Sequence, residues 1–120
     1  MSQEDRNLLL KDLCGRLPYG VKAHGPNKAD DTIWTLDYDS NVNVLVHVGW
    51  RPYLRPMTSM TEEEDKDFAM LQTDFYVDGW LYPIAAVNMV NWLNAHHFDY
   101  RGLIEKGLAL EAPEGMYKKD

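Results

Sequence analysis

The chain has 120 residues, 45% of them hydrophobic and 26% charged, and a net charge of -7, which suits one domain with one core and excludes two. That acidity disfavours direct binding to nucleic acid or anionic membrane, both of which need a basic surface, and is compatible with solubility or with docking on a basic protein. A single cysteine, Cys14, excludes an internal disulfide framework and a cysteine-based zinc site.

The opening MSQEDRNLLLKDL is acidic and has neither a basic n-region nor a small-residue cleavage site. No apolar run approaches the roughly 20 residues that cross a bilayer, so a cytoplasmic protein is expected. Ser2 to Leu17 reads as a first helix, with Ser2 and Asp5 as a capping pair and Pro18 as its end. Leu10, Leu13, Cys14 and Leu17 form its apolar stripe, which predicts a buried Cys14 thiol.

Tyr19 to Ala23 reads as a short strand and His24 to Asp31 as a polar turn. Thr32 to Tyr38 and Val42 to Val48 both suit strands, joined by the turn Asp39-Ser40-Asn41 into an antiparallel hairpin. In the second strand Val42, Val44, Val46 and Val48 would face one way, with His47 half-exposed on the other.

Gly49 to Pro56 leaves the sheet as an extended, proline-punctuated segment. It interleaves Trp50 and Tyr53 with Arg51 and Arg55, a pattern that stacks a nucleotide or clasps an acidic peptide, or else packs its rings back on the core. Thr61 with Glu64 has capping-box spacing, and Glu62 to Asp65 favour the positive end of a helix running to about Gln72. Phe68 and Leu71 are its inward residues, and its acidic start is a secondary candidate for docking. Thr73 to Tyr82 is read as a loop or short strand carrying Phe75, Tyr76, Trp80 and Tyr82.

Pro83 suits a first helical turn, and Ile84 to Ala95 is apolar except for Asn88, Asn91 and Asn94, which share one narrow face. This predicts a central helix covered on most sides. The asparagines suit either a polar pocket or neutral interface, or a plain polar face. Asp99 then caps a second short helix closed by Gly107, with Phe98 and Leu103 at staple spacing and Gly102 allowing a close backbone approach. Leu108 to Ala112 reads as a last strand or extended tail, and 113–120 as a frayed end.

His96, His97 and Asp99 are the one cluster with catalytic or metal-ligating chemistry. Adjacent histidines diverge and Asp99 has a capping role, so neither a metal nor a cofactor is expected, and no catalytic residue is assigned beyond weak acid–base candidates. No phosphate loop, nucleophile elbow, HExxH or dinucleotide fingerprint is present.

The segments LLLKDLCGRLPYGVK, RPYLRPMTSMTEEE and WLNAHHFDYRGLIEKGLALEAPEGMY resemble a group of small proteins encoded by gut-associated bacteria and their prophages or other mobile elements. That resemblance implies a small accessory protein and brings no activity or site residue with it.

These readings converge on a single α+β domain, 1–120: an N-terminal helix, an antiparallel sheet of about three strands, and two or three C-terminal helices on one face. The expected function is non-enzymatic binding of a protein partner or of a second copy, with candidate binding residues Trp50, Arg51, Tyr53, Arg55, Asn88, Asn91 and Asn94. A small-ligand or nucleotide binder is the alternative, and a hydrolase using His96, His97 and Asp99 the third reading.

Overall fold

The computed structural model describes residues 1–27, 32–76 and 83–117, and within them the chain is α+β with four α-helices and a mixed five-stranded sheet. Helix α1 spans Gln3–Arg16, and Ser2 caps it by accepting the Asp5 N–H at 3.1 Å, as its sequence predicts. The face it buries differs from the expected one. Leu9 and Leu13 enter the core together with Asp12 and Arg16, while Cys14 is exposed. An internal ion pair turns the helix: Arg16 Nε and Nη2 donate to the Asp12 carboxylate at 2.7 and 3.1 Å, both side chains fully buried. Placing that pair inward rotates Cys14 to solvent, because residues two apart lie on different helix faces.

After a 3-10 turn at Leu17–Tyr19 come β1 (Lys22–His24) and β2 (Ile33–Thr35), paired antiparallel. Val42 to Val48 is not the second strand of a hairpin but helix α2 (Val42–Val48). Two end residues override its β-branched composition. The Asn41 side chain accepts the Val44 N–H at 3.3 Å, and Gly49, at φ 105, closes the C-terminus with its N–H on Leu45 and Val46 carbonyls. Val42, Leu45 and Val46 recur at helical spacing and pack on the core, which leaves Val44, His47 and Val48 exposed.

Strand β3 (Arg51–Pro56) takes the centre of the sheet, although its prolines argue for a segment outside it. It pairs β1 antiparallel at its start, then β5 (Leu110–Glu111) and β4 (Phe98–Asp99) in parallel. Because the neighbour changes along the strand, no single ladder needs an unbroken row of N–H donors. The bonds fall on non-proline residues: Leu54 accepts from Ala112 at 2.8 Å and Arg55 donates to the His97 carbonyl at 2.7 Å. Parallel pairing requires crossovers, which α3 (Glu62–Asp74) and α4 (Ile84–Ala95) supply before β4.

Helix α3 carries the expected capping box of Thr61 and Glu64, running two residues past Gln72. Of the segment 73–82, residues 77–82, with Trp80 and Tyr82, lie outside the described ones, as do 28–31 of the turn before β2. Helix α4 buries only Ala85, Leu93 and Asn94 rather than most of its circumference. The region after β4 forms turns, not a second helix. Asp99 does cap it, its two carboxylate oxygens accepting the N–H groups of Leu103 and Ile104. Phe98 and Leu103 enter different core clusters instead of packing as a staple. Gly102 sits at φ 72 with nothing near its Cβ position, so it serves a left-handed turn and not a close approach.

The larger core joins Leu9 and Leu13 of α1, Val46 of α2, Val21, Ala23, Leu36, Trp50, Leu54, Leu103 and Leu108, and the smaller one Phe68, Leu93 and Phe98. Of residues 113–120, expected to be frayed, 118–120 lie outside the described ones, and 114–117 form a turn that brings Tyr117 to β1 and β3. The Tyr117 hydroxyl accepts the Lys22 N–H at 2.8 Å and donates to the Tyr53 carbonyl at 2.7 Å. It bridges β1 and β3 just beyond the last paired residues of the two strands.

Candidate functional site

The aromatic–arginine segment does not act as one exposed surface. Trp50 is 8% exposed, inside the larger core against Gly25, with the Trp34 ring 4.5 Å away. Arg55 lies 4.2 Å over the Phe98 ring and binds Glu64 through two bonds of 2.7 Å. That contact, first among its causes, lowers the Glu64 carboxyl to about 2. The two expected docking elements, this segment and the acidic start of α3, are therefore tied to each other.

Arg51 and Tyr53 are placed differently. His24 and Arg51 are register partners, as are Tyr53 and Leu110, and Arg51 and Tyr53 stand two apart on one strand. All four thus project from the same face of the sheet, opposite Ala23, Pro52 and Leu54, which are buried. With Gly25 and Pro26 they line an open cleft of about 370 Å³. The His24 and Tyr53 rings meet edge to face at 6.2 Å. His24 Nδ1 lies 2.6 Å from the Gly25 carbonyl, an acceptor, so Nδ1 carries the hydrogen and Nε2 is left as the ring's acceptor. Arg51 makes one long bond, 3.4 Å, to the Gly107 carbonyl. Among the described residues no carboxylate lies within ion-pair distance of it, whereas Arg16, Arg55 and Arg101 each have one.

The histidine cluster does not converge. His96 stacks on Trp92 at 4.0 Å, with Nδ1 on the Trp92 carbonyl at 2.8 Å. His97 is buried in a left-handed conformation, φ 63, its ring 3.7 Å from Tyr117. Burial, reinforced by Arg16 and Arg55, holds His97 at about 4 and hence neutral near pH 7. Asp99 has both oxygens engaged as a cap. Among the described residues no group of three His, Cys, Asp or Glu side chains is arranged to hold a metal.

The asparagine stripe divides. Asn94 is buried, accepting from the Tyr100 hydroxyl at 2.9 Å and closely packed against Gly15 of α1. Asn88 and Asn91 are exposed. Beside them Ile84, Val87 and Val90 stand 67%, 52% and 40% exposed, so the outer arc of α4 is apolar and amide-bearing with no charge.

Sequence reasoning did not single out His24, Leu110 or Tyr117, because only strand register brings the first two beside Arg51 and Tyr53, and only the hydroxyl bonds to Lys22 and the Tyr53 carbonyl bring the third. It also did not single out the buried group around Asp12, where Arg16 and Arg101 (3.2 Å) share one carboxylate and Arg16 reaches the Phe98 carbonyl at 2.7 Å. The Asp12–Arg16 spacing was the available signal, though it more often marks a surface pair. Among the described residues no helix is long and apolar enough to cross a membrane. Comparison with protein-family models, curated proteins and solved structures finds no match.

Proposed function

We propose that the protein is a non-enzymatic protein-binding module that docks a partner through the outer arc of α4. The observation that carries this reading is the exposure of Ile84, Val87 and Val90 beside Asn88 and Asn91, on a helix without one charged side chain in a chain that is 26% charged. A face meant only for water is better served by Lys or Glu, which form helices more readily than Asn or Val. Depletion of charge is instead the mark of an interface core. Each asparagine amide offers a donor and an acceptor, so the arc suits a partner surface that is apolar and neutral.

The non-enzymatic reading is supported by the engagement of the acid–base candidates: Asp99 caps a turn, His96 stacks on Trp92, and His97 is buried against Tyr117. The resemblance to small proteins of gut-associated bacteria and their mobile elements is in keeping with an accessory modulator.

The test is affinity capture of the tagged protein from host lysate, run beside a Val87→Asp variant, with sedimentation velocity on both. A stoichiometric partner held by the parent chain and lost in the variant supports the reading. Reversible self-association abolished by the same substitution supports it with a second copy as the partner. A partner retained equally by Val87→Asp, or a monomer that captures nothing, overturns it.

A further inference from the structure

The cleft on the open sheet face is remote in sequence from the arc of α4, and what it offers does not depend on that docking reading. We infer that it is a binding site for a small planar anion of the nucleotide type, an aromatic ring carrying a phosphate.

Three strands build it. β1 brings His24, β3 brings Arg51 and Tyr53, and β5 brings Leu110, all on one face by register. Its volume, about 370 Å³, falls within the range of small-ligand pockets, roughly 300–1,000 Å³. The chemistry is divided between its parts. Among the described residues Arg51 is held by a single long bond to the Gly107 carbonyl, which leaves most of its planar N–H fork for bidentate contact with phosphate oxygens. Tyr53 and His24, set edge to face, together with Pro26 and Leu110, give flat, largely apolar walls for a ring. Gly25 lines the cleft with main chain, its Cβ position being turned toward Trp50. His24 commits Nδ1–H to the Gly25 carbonyl and keeps Nε2 as an acceptor for a ligand hydroxyl or amino group.

Lys22 lies on β1 two residues before His24, hence on the same face of the sheet. The pairing of a cationic fork with flat rings separates this ligand from a bare anion, which would gain nothing from Tyr53, and from a neutral ring, which would gain nothing from Arg51.

The experiment is a titration of the isotopically labelled full chain with adenosine monophosphate, followed by amide chemical shifts, with adenosine and inorganic phosphate as separate arms. Saturable shifts centred on His24, Arg51, Tyr53 and Leu110 are expected. The nucleotide should bind about tenfold more tightly than either fragment, from one added charge-assisted contact. Arg51→Gln should reduce nucleotide affinity to that of adenosine while the rest of the spectrum is unchanged, which reports an intact fold. Arg51→Lys should recover only part of the loss, since a point charge replaces a fork. Absence of saturable shifts, shifts centred elsewhere, or equal affinity of the nucleotide and either fragment overturns the inference.

Discussion

Arg16 and Asp12 show how much one residue pair can decide. Both are fully buried, and Arg101 and the Phe98 carbonyl join the group, so the N-terminal helix is tied to the β4 region by charge-assisted bonds. Arg16 also lies 5.2 Å over the Tyr100 ring, whose hydroxyl reaches Asn94. A buried ion pair is costly to desolvate, and removing one member leaves the other unpaired. Asp12→Ala is therefore expected to destabilise the fold by about 3–5 kcal/mol in urea denaturation, and Asp12→Leu combined with Arg16→Met by clearly less. Equal losses in the single and double variants would show that packing, not the unpaired charge, sets the cost. The Tyr117 hydroxyl plays a comparable bridging part between Lys22 and Tyr53, at the far end of the chain.

At the scale of elements, α2 is the informative case. Seven residues with four valines have strand composition, yet their ends carry an asparagine cap and a left-handed glycine. Tertiary context then selects the helix, because Val42, Leu45 and Val46 reach one core only at helical spacing. Asn41→Ala is expected to cost about 1 kcal/mol through the lost cap. Gly49→Ala should cost more than about 1 kcal/mol, since φ 105 strains any side chain and Pro26 Cβ lies 3.4 Å from the added atom. Thermal melts of the two variants check this; two unchanged midpoints would mean that the helix is held by its buried face alone. Helix α4 makes the converse point. Its apolar sequence suggested burial on most sides, but one face packs and the outer arc stays uncovered, which turns a packing expectation into a docking proposal.

For the whole molecule, the titrating groups set the pH range of stability. His97 titrates near 4 in the fold against an ordinary 6.5, so between those values the unfolded chain holds the extra proton. Its contribution is complete above pH 6.5 and is lost as pH falls toward 4, on the order of 2–3 kcal/mol. Glu64, lowered from 4.5 to about 2, adds a second loss as pH falls through that lower window. Burial raises Tyr117 from 10.0 to about 12, so its contribution is complete below pH 10 and is lost as pH rises toward 12. Chemical denaturation across pH should therefore show a plateau from about 6.5 to 10 with a fall on each side. His97→Asn, which keeps a residue tolerant of φ 63 but removes the titration, should flatten the profile between pH 6.5 and 4. A variant that still loses stability over that window would assign the acid limb to other groups.

Local chemistry was legible from the chain alone wherever a few neighbouring residues complete an interaction. Ser2 with Asp5 and Thr61 with Glu64 stand as their spacing implies, whereas Asp99 closes a turn rather than the helix expected after it, and the α+β class follows from the mix of periodic segments. What depends on distant pairing was decided only by the tertiary structure. Whether Val42–Val48 lies in a sheet, which face of α1 turns inward, and whether the prolines of Arg51–Pro56 exclude it from a ladder all depend on neighbours far along the chain. The cleft depends on them most. Arg51 and Tyr53 share a strand spacing, but only strand register sets His24 and Leu110 on the same face, because a shift of one residue in β1 or β5 would turn each to the opposite side.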